Sequence, residues 1–127
     1  MIEKTEYFDR LGISVTYWIG QNANDNFDIL DAASVELDWW FHVQNGRIAA
    51  PCGRPSNLVH NRPSCHVIAH LPGKLDRKDL HYVKTRGAVL CREHSKCYDA
   101  KIICARVSEV TKCKQVGQVT VNRYILL

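Results

Sequence analysis

Apolar and polar positions alternate early in the chain. Ile13, Val15, Tyr17 and Ile19 interleave with Ser14 and Thr16, the period-two pattern of a half-buried strand. Gly20 ends that run, and three asparagines follow within five positions, Asn22, Asn24 and Asn26. Asn22 is placed to cap a helix, and Asp25 stands three positions on as a short substitute for the capping-box acid. Ala23, Phe27 and Leu30 then recur at i, i+4 and i+7, which predicts a helix over 23–33 with Asp25 and Asp28 near its positive end. "LDWWFHV" at 37–43 is rich in strand-formers. Residues 44–63 carry Asn45-Gly46, three prolines and two glycines, and predict a long loop. "SCHVIAHL" at 64–71 reads as another strand, and Pro72-Gly73 as a turn.

Asp76 caps a second helix, over 76–96, with Asp79 at its third position. Leu80, Val83, Gly87, Leu90, Cys91 and His94 share one of its faces, while Arg77, Lys78, Arg92 and Lys96 gather on a neighbouring polar flank. Gly87 costs about 1 kcal/mol against alanine in a helix interior, which points to close packing against the sheet. The remainder predicts a hairpin: Ile103, Ala105 and Val107 on one strand, a turn at Gly117, then Val119, Val121, Ile125 and Leu127 on the return. The order is β-α-β-β-α-β-β, with a short extra strand at "TEYFDR". It describes an α+β domain with two helices packed on a mixed, mostly antiparallel sheet.

Length agrees with one domain over 1–127, carrying an insertion at about 44–63. No run reaches the ~18 apolar residues of a membrane span, and "MIEKTEYFDR" has no apolar leader core, so a cytoplasmic residence is expected. Six cysteines without that leader disfavour disulfides. Cys-x-x-Cys is absent, so spacing does not support a structural zinc, and no metal or cofactor is expected. Cys91 and Cys104 fall in apolar-periodic segments and read as small core residues. Net charge is +4, but it is unevenly placed: residues 1–70 hold five Lys/Arg against eight acids, and residues 71–127 hold twelve against five. A basic half suits a polyanion such as RNA, or is simply a solvated surface.

The chemistry centres on the amides. A strand, a glycine and a helix N-terminus turn unpaired backbone N–H groups outward, and neutral amides beside them reach phosphate or sugar without adding negative charge. Neither Gly-x-x-x-x-Gly-Lys-Ser/Thr nor Gly-x-Gly-x-x-Gly is present, so no recognised nucleotide loop is formed. The plain alternative is a polar cap and turn. His42 and His66 lie in strand contexts and converge if those strands are neighbours, as base, metal ligand or phosphate donor, or as satisfied half-buried histidines. Trp18, Trp39 and Trp40 are base-stacking or core aromatics.

In order along the chain stand "GQNANDNFDIL" at 20–30, "WWFHV" at 39–43, "SCHVI" at 64–68, "SK" at 95–96 and "VGQVTV" at 116–121. With these the chain resembles the NFACT-R domain, the RNA-binding module of the ribosome-quality-control tailing factors and fibronectin-binding-A-like proteins, which also occurs alone. Gly20, Asn22, Ala23 and Asn26 match the first motif; Trp40, Phe41 and His42 the second; Ser64, Cys65, His66 and Val67 the third; Ser95 and Lys96 the fourth; Gly117 and Val119 the last. Three departures stand out. Gln21 replaces a usual Arg or Lys, Cys65 replaces Ser or Ala, and 44–63 is inserted, bringing Arg47, Arg54 and Arg62.

The resemblance implies binding of structured RNA, tRNA or ribosomal RNA, in translation or ribosome-associated quality control, with the ribosome as a partner. The nucleic-acid-binding set is Gly20, Asn22, Asn26, His42, His66, Arg77, Lys78, Arg92 and Lys96. No peptide-tailing activity is transferred, no catalytic residue is assigned and no membrane partner is implied. The competing readings are RNA modification or cleavage through His42 and His66, a ribosome-bound adaptor, and DNA binding, since phosphate-led recognition discriminates weakly.

Overall fold

The computed structural model describes residues 1–44, 65–116 and 118–127. Its elements are β1 (Ile2–Phe8), β2 (Ile13–Ile19), α1 (Ala23–Ala32), β3 (Trp39–Val43), β4 (Val67–His70), α2 (Arg77–Ser95), β5 (Ile102–Arg106), β6 (Val110–Lys112), β7 (Val119–Val121) and β8 (Ile125–Leu126). The predicted loop turn at Asn45-Gly46, the insertion's Arg47, Arg54 and Arg62, and the turn at Gly117 lie outside the described residues. No described helix is long and apolar enough to cross a membrane.

Six strands form one sheet in the order β1-β2-β4-β3-β5-β8, and every described pairing is antiparallel. The sheet is covered on both faces. Tyr17, Phe41, Val43, Val67, Ala69 and Cys104 pack with Val83, Ala88, Leu90 and Cys91 of α2. On the other face Trp40, Ile68, Ile103 and Ala105 pack with Ile29 and Leu30 of α1 and with Val119 and Val121 of β7. Successive strand residues point to opposite faces, so "WWF" is apolar throughout because both faces meet a layer. Gly87 sits where α2 crosses β3. A Cβ there would lie 2.4 Å from the fully buried ring of Phe41, so the glycine admits a closer helix–sheet approach than any other residue.

Both caps form as the sequence indicates. The Asn22 side chain accepts from the Asp25 N–H, and Asp76 accepts from the Asp79 N–H, each at 2.8 Å. The N-terminal strand is longer than "TEYFDR" suggests: all seven residues of β1 pair with β2. The C-terminal hairpin divides. A 3-10 turn at Val107–Glu109 redirects the chain, so β6 pairs with β7 as a separate ribbon while β5 pairs with β8 in the main sheet. Val119 and Val121 are therefore buried on the α1 side, but Ile125 is exposed on an edge strand. The alternation of Ile103, Ala105 and Val107 slips at the turn, where Glu109 falls in phase and Val110 follows at i+3. Cys91 and Cys104 are fully buried, and burial pushes both thiols up to about 12.

Candidate nucleic-acid interface

The antiparallel register brings particular element ends together. The C-terminal ends of β2 and β3, the N-terminal ends of β4 and β5, the start of α1 and the end of α2 all lie at one end of the sheet. Gly20, Asn22, Asn26, His42, His66 and Lys96 therefore gather at that end, although they span 20 to 96 in the chain. Arg77 and Lys78 lie at the opposite end, at the start of α2. Nineteen helical residues at about 1.5 Å each separate the two ends by roughly 28 Å.

At the near end the motif residues converge on the junction at 65–66. The Gly20 N–H donates to the His66 carbonyl at 2.9 Å, and the His66 N–H donates to Asn26 Oδ1 at 3.3 Å. Ser95 Oγ accepts from the Cys65 N–H at 3.0 Å. Trp40 Nε1–H donates to His66 Nδ1 at 3.2 Å. Strands β2 and β3 and both helices thus hold one two-residue segment. A Cβ on Gly20 would fall 2.0 Å from Asn26 Oδ1, so glycine is required for the latch to close. The three asparagines divide their work: Asn22 caps α1, Asn26 is buried and bonds His66, and Asn24 is exposed.

The two histidines do meet, with ring centroids 4.9 Å apart in an edge-to-face arrangement. Indole N–H only donates, so His66 Nδ1 accepts and its proton sits on Nε2. His42 Nδ1 lies 2.8 Å from the Val43 carbonyl, which only accepts, so His42 carries its proton on Nδ1. His42 stacks on Trp40. Both imidazoles are buried, and His66 is only 2% exposed. Burial, then the neighbouring His42, holds the His66 imidazole well below its ordinary value. Among the described residues no three His, Cys, Asp or Glu side chains cluster to hold a metal ion.

The depressed His66 value has a measurable consequence. The unfolded chain takes up a proton near the ordinary 6.5, which the native site refuses. Stability is therefore full above that pH and falls as pH drops below it, by at most about 1.4 kcal/mol per pH unit. Urea unfolding at pH 7.5 and pH 5 should show this loss in the wild type. In His66→Gln the loss should shrink, and an identical pH dependence in the two proteins would contradict a neutral buried His66.

The charged candidates differ in availability. Arg92 donates from Nε to the Ala100 carbonyl and from Nη2 to the Leu127 carbonyl, at 2.8 and 2.9 Å, which ties α2 to the strands beside it. Lys96 is exposed and is the C-cap of α2, with φ of 56°. That left-handed position is ordinarily given to Gly or Asn, and a cation there also suits the negative end of the helix. Lys101, exposed just before β5 at the same end, is missed by motif reasoning because it belongs to no motif. The start of α1 is already partly neutralised: the Asp25 carboxylate pairs with the Met1 ammonium and accepts from the Gln21 N–H, which lower its pKa.

Tryptophan roles also separate. Trp40 is fully buried and serves the core rather than a base stack. Trp18 stacks on His70 at 4.4 Å. His70 bonds through Nδ1 to Asp38 Oδ2 at 2.8 Å, a histidine–carboxylate pair between residues 32 positions apart that local spacing does not reveal.

Fold and site together define a three-layer α+β domain with residues of four of its five motifs at one end of the sheet. No family model and no curated protein matches the chain. Among solved structures it is similar to the C-terminal part of the fibronectin/fibrinogen-binding protein from Streptococcus suis, with a TM-score of 0.68 at 21% identity. The match covers 98% of this chain and 43% of that one, so the chain spans less than half the length of that structure. The shared property is the fold.

Proposed function

We propose that the protein is an RNA-binding module that recognises structured RNA, tRNA or ribosomal RNA, through phosphate and shape contacts, and that it serves translation or ribosome-associated quality control in the cytoplasm. The observation that carries this reading is the gathering of four separately encoded motifs at one end of the sheet, beside two exposed cations, Lys96 and Lys101. Gly20, Asn26, Ser95 and His66 shape the rim by holding the 65–66 junction. Asn22, Lys96 and Lys101 are the groups that meet the ligand, with Lys78 at the far end of α2. Arg92 stays in the phosphate-binding set: two of its five N–H donors hold backbone carbonyls, and its charge adds to the potential at this end. The fold shared with part of a fibronectin/fibrinogen-binding protein agrees with a binding role. Burial of both imidazoles, with desolvation holding His66 neutral, supports an architectural role over acid–base chemistry.

The test is fluorescence anisotropy of the purified protein with labelled bulk tRNA from 20 to 200 mM salt. Binding should weaken steeply with salt, each phosphate contact contributing about 0.7–0.9 to the log–log slope. Lys96→Gln with Lys101→Gln should lower that slope by roughly 1.5. Absence of binding in dilute buffer, or binding indifferent to salt, would overturn the proposal.

A further inference from the structure

A second cationic surface lies at the far end of the sheet, on the α2 side, and its centre is Trp39. The Lys84 ammonium sits 3.8 Å from the Trp39 ring centroid, and the Arg106 guanidinium carbon lies 5.1 Å from it. Arg106 is the register partner of Trp39 on the neighbouring strand, so its placement follows from the sheet itself. Arg77 precedes Lys84 by seven residues, two turns back on the same stripe of α2.

Other cations of the domain are neutralised: Arg86 by Glu6, and Lys112 by Asp31. None of the ion pairs among the described residues involves Arg77, Lys84 or Arg106. Burial first, and then the fields of Arg106 and Arg77, depress the Lys84 pKa, although nearby Cys104 acts in the opposite sense. Among the described residues none of these three cations is ion-paired, and an incoming anion relieves the repulsion that Lys84 feels from Arg106 and Arg77. With cations over its ring, Trp39 is a platform for charge rather than a stacking surface for a base. Cation–π contact orients Lys84 and Arg106 before any ligand arrives, which lowers the cost of ordering long side chains on binding.

We propose that Arg77, Lys84 and Arg106, organised on Trp39, form a second phosphodiester-binding surface, and that the ligand is an RNA long enough to bridge it to the Lys96 end. This rests on the RNA-binding reading above and extends it by length: along α2, Lys96 lies about 18 Å from Lys84 and about 28 Å from Arg77, and the ligand has to span that distance. A folded or duplex RNA meets that requirement, and a tetranucleotide does not. Guanidinium groups also take phosphate oxygens in a two-pronged fashion that a lone ammonium cannot.

The experiment compares wild type, Lys84→Gln with Arg106→Gln, and Arg77→Gln, using a labelled 20-base-pair RNA hairpin and a labelled tetranucleotide at fixed and varied salt. All three substitutions remove partly or fully exposed charges. Arg77→Gln touches only the first turn of α2, so it reports even if the double variant folds poorly. The double variant should bind the hairpin about tenfold or more weakly, with a log–log salt slope smaller by about 1.5, and Arg77→Gln should lower the slope by a little under 1. The tetranucleotide should bind weakly to all of them. Wild-type binding with unchanged affinity and slope in the variants overturns the second surface while leaving RNA binding intact. A wild type that ignores the hairpin overturns both.

Discussion

Gly20→Ala destabilises the domain by about 2–4 kcal/mol, an expected result for a single added methyl group. The new Cβ would stand 2.0 Å from Asn26 Oδ1 and 3.1 Å from both Asn26 Cγ and the Asn26 backbone nitrogen. The backbone of Asn26 is fixed in the first turns of α1, so the amide has to swing away. The buried His66 N–H then loses its acceptor, which costs about 1–3 kcal/mol. Overpacking of the same site adds about 1–3 kcal/mol before relaxation. A double-mutant cycle isolates the cause. In an Asn26→Ala background the clash with the amide is gone, so Gly20→Ala should add about 1 kcal/mol or less. Urea denaturation of the four proteins measures the cycle, and simple additivity would show that the glycine matters for another reason.

Asp38→Ala should cost about 2–4 kcal/mol, the scale for leaving two backbone donors, one of them buried, without their acceptor. The Asp38 side chain is fully buried. Its Oδ2 accepts from the Ser34 N–H and from His70 Nδ1, each at 2.8 Å, and its Oδ1 accepts from the Leu71 N–H at 3.0 Å. Its backbone carbonyl takes the Val107 N–H as well. One residue thus ties the turn after α1, the end of β4 and the end of β5. Truncation strands two backbone donors, Leu71 in a buried position, while His70 keeps access to solvent. The contrast is His70→Gln, whose side chain is 42% exposed and should cost less than about 1 kcal/mol. Thermal and urea unfolding of both variants checks the ranking, and near-equal losses would show that the backbone bonds to Asp38 carry little.

Both effects sit in residues that the sequence marks unequally. Gly20 and Asn26 stand out within "GQNANDN", but that both bond the His66 backbone is visible only in the folded chain. Asp38 and His70 carry no local signal, because their pairing is made by β3 and β4 lying side by side. The same holds for Trp39, Lys84 and Arg106, which belong to a strand, a helix and another strand. Arg92 differs: its place on a basic flank suggests a phosphate contact, and the folded chain adds two backbone carbonyls that the sequence does not reveal.

Secondary structure was legible because it is local. Period-two runs, helical spacing and two Asx caps place β2, α1, β3 and α2 within a few residues of their bounds. The α+β class follows from their order. Tertiary structure alone decided which strands are neighbours, that α1 and α2 cover opposite faces, and that the final strands split between a ribbon and the main sheet. It also decided which polar side chains bond buried backbone groups and, among the described residues, which cations stand outside the ion pairs. Those outcomes depend on long-range pairing and on desolvation, and neither leaves a periodic trace along the chain.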